Sequence, residues 1–202
     1  MKITKNSLLA GAASLLLFGT MVLAQSGRNS NMSSAVTPAD RSFMDKAAQG
    51  GMAEVELGQL AEQNGQSQQV KDFGKRMVTD HTKANDQLEQ VASKEAVKLP
   101  TTLDAKDQET KEHLSKLKGA AFDKAYMRDM VADHEKDVAE FKREATAAHS
   151  PDLKDWVTTT LPTLESHLQE AEKVAPTVTG SAMSKNSGAM NNGSSNTMAQ
   201  KH

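Results

Sequence analysis

Phe73-Gly74-Lys75-Arg76-Met77-Val78-Thr79-Asp80-His81 sets the architecture of this chain, because its pattern returns 53 residues later as Tyr126-Met127-Arg128-Asp129-Met130-Val131-Ala132-Asp133-His134. Both copies read aromatic, three residues, Met-Val-x-Asp-His. Each lies inside a longer apolar run spaced by three and four: Val70, Phe73, Met77, His81, Ala84, Leu88, Val91, and then Phe122, Tyr126, Met130, His134, Val138, Phe141, Ala145. Such spacing turns one face of an α-helix toward a core. Both histidines therefore point inward, and a buried imidazole needs a partner.

Working outward, Thr37-Pro38-Ala39-Asp40 is a helix start, with a hydroxyl cap, proline at the first position and an acid at the third. The spacing predicts a first helix ending at Asn64-Gly65 with glycine as a left-handed stop. A second helix is capped by Ser67 and reaches about Lys94. Asp104 opens a short polar helix that stops at Gly119. A fourth helix runs from Ala120 to Ala148, and Ser150-Pro151-Asp152 opens a fifth that carries Leu153, Trp156, Val157, Leu161, Leu164, Leu168 and Val174. No stretch alternates with a strand's period of two. The expected fold is all-α: a four-helix bundle of two helical hairpins joined by a crossover that contains a short helix.

The ends read differently. Lys2 and Lys5 precede an apolar run from Leu8 to Leu23, and Val22-Leu23-Ala24 closes on a small residue, so residues 1–24 are expected to be a signal peptide. Residues 25–37 read as a polar linker, 38–174 as the bundle, and 175–202 as a disordered Ser/Asn/Gly/Met tail. The expected location is periplasmic, with outer-membrane association or secretion as the other destinations of an exported chain. No membrane span is expected once the leader is cut. Without Lys2 and Lys5 the chain carries 22 basic against 26 acidic residues, a balance that argues against nucleic acid. The sequence contains no cysteine, so stability rests on an ordinary core.

Counted from their helix starts, His81 and His134 are level when the second and fourth helices run parallel. His167 on the fifth helix falls about 3 Å away along the axis. The first helix presents Phe43, Ala47, Gly50, Glu54, Leu57 and Ala61, which places Glu54 on the core side about one turn from the histidines, while Gly50 and Gly51 leave space beside them. Three imidazoles and a carboxylate suit one first-row transition-metal ion, zinc or copper in preference to iron. The candidate ligands are thus Glu54, His81, His134 and His167. Met77 and Met130, one turn before the first two histidines, are possible soft ligands that would favour copper(I), and otherwise fill the core. Asp80 and Asp133 are placed to support the layer from its edge. His113, His149 and His202 read as surface or tail residues. No nucleophile–base arrangement is visible, and the residues three before each histidine (Val78, Thr110, Val131, Thr146, Leu164, Ala199) include no acid, so the Glu-x-x-His of di-iron bundles is missing. Catalysis is not expected.

The run Ala48-Gln49-Gly50-Gly51-Met52-Ala53-Glu54-Val55-Glu56-Leu57-Gly58-Gln59-Leu60-Ala61 is followed by Met77-Val78-x-Asp80-His81-Thr82, Leu99-Pro100, Phe122-Asp123-x-x-Tyr126, Met130-Val131-x-Asp133-His134 and Leu161-Pro162-x-Leu164-x-x-His167-Leu168. In this order they resemble the exported bacterial family catalogued as domain of unknown function 4142, often labelled an outer-membrane protein. The resemblance covers about Asp40 to Val174. It implies a ferritin-like bundle and no established activity, and the family's recurrent Glu, His, His and His fall on Glu54, His81, His134 and His167. Two readings stay open on sequence alone. One is a non-catalytic protein that binds a single transition-metal ion. The other is a structural or interaction protein of the cell envelope, stress-related and with an envelope protein as partner, whose histidines form a metal-free polar core or sense pH.

Overall fold

A computed structural model describes residues 36–180. The expected signal peptide, nearly all of the linker and the tail from 181 onward lie outside the described residues. Five helices follow in order: α1 (Pro38–Asn64), α2 (Gln68–Lys94), α3 (Ala105–Ser115), α4 (Gly119–Ala147) and α5 (Pro151–Thr179), with no strand among the described residues. No helix of the described residues is long and apolar enough to cross a membrane.

Contacts at the helix ends fix the topology. At one end Lys118 bonds Asn64, and the Asp123 carboxylate accepts from the backbone N–H of Gln66 and Ser67 at 3.0 and 2.8 Å. At the other, Asp40 accepts from the His149 N–H at 3.1 Å and the Ser150 hydroxyl donates to Glu95. The α2 and α4 helices therefore begin at the same end and run parallel, and residues 95–119 cross the length of the bundle. Within the hairpins α1 packs on α2 and α4 on α5; the hairpins meet through α2 against α5 and α1 against α4, with α3 laid along α1 and α4. This is the ferritin-like arrangement that the apolar stripes and the long connector implied.

Several local expectations are corrected. Gly65 ends α1, but its backbone is extended (φ −65°, ψ 150°) and not left-handed. Glycine is required there by close approach, since a Cβ would fall 2.7 Å from the Ala61 carbonyl oxygen. Ser67 sits at the start of α2 without capping it through its side chain; the Asp123 carboxylate, from α4, holds the chain just ahead of the helix through the N–H groups of Gln66 and Ser67. The left-handed glycine is Gly119 (φ 61°), which opens α4 where a stop to the short helix was expected. The helix expected to end at Val174 continues to Thr179 and terminates on left-handed Gly180. Asp123→Ala strips two N–H groups of their acceptor and is expected to cost about 2 kcal/mol, against less than about 0.5 for Ser67→Ala, as urea unfolding would show.

The core forms two apolar clusters. One, at the end where α2 and α4 begin, is built around Phe73, Met77, Phe122, Tyr126 and Met130. The other, toward the opposite end, is built around Met44, Leu88, Phe141, Leu153, Trp156 and Leu164. Trp156 keeps its ring in the second cluster by donating its indole N–H to the Ala84 carbonyl at 3.2 Å. Neither cluster includes Glu54, His81, His134 or His167, all of which are buried. These four make a polar layer in the middle of an otherwise apolar interior.

Candidate metal centre

Along α2 and α4, each histidine occupies the stripe position one turn after a core methionine, so packing of that methionine drives the imidazole inward. The α5 helix brings His167 between Leu164 and Ala171 on its buried face. One ligand nitrogen from each of His81, His134 and His167 lies within 4.8 Å of the other two. The ring centroids are 5.9 Å (His81–His134), 5.3 Å (His81–His167) and 5.4 Å (His134–His167) apart. A tetrahedral zinc at ~2.0–2.1 Å from its ligands sets nitrogen pairs about 3.3 Å apart, so the three rings need to close by no more than ~1.5 Å around an ion.

The hydrogen bonds leave one nitrogen per ring without a partner. His134 Nδ1–H donates to the Met130 carbonyl at 3.0 Å, which leaves Nε2 as a lone pair. His167 Nε2–H donates to Asp80 Oδ2 at 2.8 Å and leaves Nδ1. His81 Nε2 is also buried and unpaired. Asp80 is itself held by Arg76, whose guanidinium bonds Glu170 and Ser166 as well. A carboxylate behind an imidazole fixes its tautomer and raises its basicity, as it does for metal-bound histidines.

Burial, then the nearby His134 and His167, hold His81 well below the usual imidazole value of 6.5. Burial and His167 hold His134 down to about 4. His167 is lowered by burial, against the opposing pull of Asp80. Around pH 7 all three rings are neutral, the form in which imidazole binds a metal.

Glu54, expected as a fourth ligand, is not a member of the three-histidine group. Counting along α1 placed it about a turn away, and the structure keeps it to one side, with Oε1 3.9 Å from His134 Nδ1, the nitrogen already bonded to Met130. Burial, then Asp133, Asp137 and Asp107, push its carboxyl well above the usual value, and His134, held down to about 4, is uncharged near pH 7, so the contact is no ion pair. Both Glu54 oxygens are buried without a hydrogen-bond partner, as is the hydroxyl of Tyr126. Met77 and Met130 belong to the neighbouring apolar cluster, so the unpaired donors of the layer are nitrogens and carboxyl oxygens.

Residues 25–174 match the family model described as Domain of unknown function (DUF4142). The chain belongs to the DUF4142 family. No curated protein matches it. Among solved structures it is similar to one described as the crystal structure of a DUF305 fragment from Deinococcus radiodurans, at 14% identity and a TM-score of 0.63, covering 70% of this chain and 98% of that one. That likeness shows the helical fold alone.

This DUF4142 domain also holds two residues, Asp107 and Asp137, that the sequence reading passed over. A cavity of about 180 Å³ beside the layer is lined by His81 and Gly51 and by the aromatic rings of Phe43, Phe141 and Trp156. Asp107, Asp133 and Asp137 line it nearer the solvent. Burial and Asp133 push the Asp137 carboxyl up to about 7, and burial with Asp104 raises Asp107. A spacing of four between Asp133 and Asp137 was visible as one face of α4; the contribution of Asp107 depends on how α3 lies along α1 and α4.

Proposed function

We propose that this chain is an exported, non-catalytic protein that binds one transition-metal ion at His81, His134 and His167. The observation that carries the reading is the set of three buried, neutral imidazoles, one ligand nitrogen of each lying within 4.8 Å of the other two. Leaving three such acceptors unmet in an apolar interior costs about 1–3 kcal/mol each, a cost that a bound ion offsets. Imidazole donors without a thioether favour zinc or copper(II). Asp80 acts behind His167, and the Met130 carbonyl behind His134. Glu54 serves as a buried carboxyl beside the centre. Export is supported by the leader-like residues 1–24, with the periplasm as the proposed location and outer-membrane association or secretion as the other destinations.

The test is the metal content of the chain purified from periplasm without a histidine tag. About one equivalent of a single metal per chain is expected, and its loss in the His81→Ala/His134→Ala double variant. A chain that carries no metal and melts at the same temperature with or without chelator would sink this reading and turn the layer into a polar core of an envelope structural protein.

A further inference from the structure

We infer that the cavity beside the histidine layer is the route by which the ion reaches it, with Asp107 and Asp137 as the carboxylates that draw the cation in. The inference rests on the metal reading above and adds how the buried site is filled. The cavity lining runs from exposed Asp104 and Lys106, through half-buried Asp107, Asp133 and Asp137, to buried His81 and Gly51. It therefore joins solvent to one of the three rings.

One buried side chain without a partner stands at the inner end: His81 is 6% exposed, with its Nε2 buried and unbonded. That unmet nitrogen distinguishes the cluster from a solvated acidic surface. Five carboxylates line the cavity (Asp104, Asp107, Asp133, Asp137 and Glu140) against three lysines, Lys46, Lys106 and Lys136. The lysines are exposed, and the one ion pair they make here, Lys106 to Asp133, is long at 3.9 Å. A negative cleft with apolar walls focuses its field and raises the arrival rate of cations. Carboxylate oxygen holds a zinc-like ion less well than a set of imidazoles does, so an ion collected at the mouth moves inward.

The wall of the route is open at Gly50, which lines the cavity and where an added Cβ would meet nothing within 4 Å. Glycine inside a helix costs about 1 kcal/mol relative to alanine, so Gly50→Leu should fold at least as well as the parent while filling the passage. Zinc chloride uptake by the full-length chain can be followed in a stopped-flow instrument against a chromophoric chelator. Asp107→Asn/Asp137→Asn is expected to slow association about tenfold at low salt, with the gap closing near 0.5 M salt as screening removes the field. Gly50→Leu is expected to slow uptake and release together by about tenfold or more, leaving the equilibrium affinity within about twofold, the signature of a blocked path and not of a lost ligand. Unchanged rates in both variants would overturn the route. Uptake by the parent that matches the His81→Ala/His134→Ala variant would instead overturn the metal site beneath it.

Discussion

Glu54→Gln is expected to stabilise the metal-free protein at pH 7 and to leave it almost unchanged at pH 4. The native carboxyl, buried and facing Asp133, Asp137 and Asp107, keeps its proton well above the usual 4.5. The unfolded chain releases that proton near the usual value. Between the two midpoints the native state binds more protons than the unfolded one, so stability is present below about 4.5 and is lost as the pH climbs. Each pH unit between the two midpoints costs about 1.36 kcal/mol of stability. Glutamine resembles the protonated acid in size and cannot ionise in the unfolded chain, so the loss disappears. Urea unfolding in the presence of EDTA at pH 4, 5.5 and 7 would measure it. Parallel curves for parent and variant would show that Glu54 is solvated and ionised in the native state, contrary to its burial. A carboxyl kept where it weakens the fold is what a functional layer leads one to expect.

The parts of this fold that were legible are those in which one helix face decides the outcome alone. The stripes on α2 and α4 bury Phe73, Met77, His81, Tyr126, Met130 and His134 as their three-and-four spacing requires, and counting from the helix starts was enough to level the histidines. The α1 stripe was read one position out in its first half. It buries Met44, Ala48 and Gly51, while Phe43, Ala47 and Gly50 line the cavity. Here two faces are in use, one packed on α2 and one turned to the cavity, and periodicity sees a single direction. Gly51 is needed because a Cβ would run into the Asn85 side chain of α2, a contact no local pattern announces.

Features that depend on a distant partner were hidden in the same way. The turn that leads into α2 is held from another helix, by Asp123, and no local pattern around Ser67 announces that contact. Past Val174 the composition turns toward the tail, and Pro176 reads as a stop. The helix nevertheless continues because Ala175 and Val178 pack on the first apolar cluster and the Thr177 hydroxyl bonds the Val174 carbonyl. Glu54 enters the ligand set from its core-side place on the α1 stripe, about one turn from the histidines, and from the family resemblance. Level fixes height along the bundle and not the direction in which a carboxyl reaches, and this one reaches the far nitrogen of His134.

Zinc affinity of the full-length chain is expected to fall less than about tenfold between pH 7 and pH 5.5, where three exposed histidines titrating near 6.5 would lose about 500-fold. Protons compete for a metal ligand only when the free site binds them. Here burial keeps His81, His134 and His167 below their usual value, with His134 at about 4, so the free site takes up protons less readily than solvated rings do. The cost of acid falls on folding instead. Below about 6.5 the unfolded histidines take up protons that the native rings refuse, so their contribution to stability is present above that pH and fades as the pH drops toward about 4. Glu54 and Asp137, whose values are raised, work in the opposite direction and soften the decline. Competition titrations with a chelator of known pH response would settle the matter. A loss of a hundredfold or more by pH 5.5 would mean that the rings titrate as solvated groups and that the layer is open to water. Retention would mean that metal release in mild acid requires the bundle to open, since proton competition at the ligands is absent. For a chain proposed to work outside the cytoplasm, where pH follows the surroundings, that is the physical difference between burying three histidines in a core and displaying them on a surface.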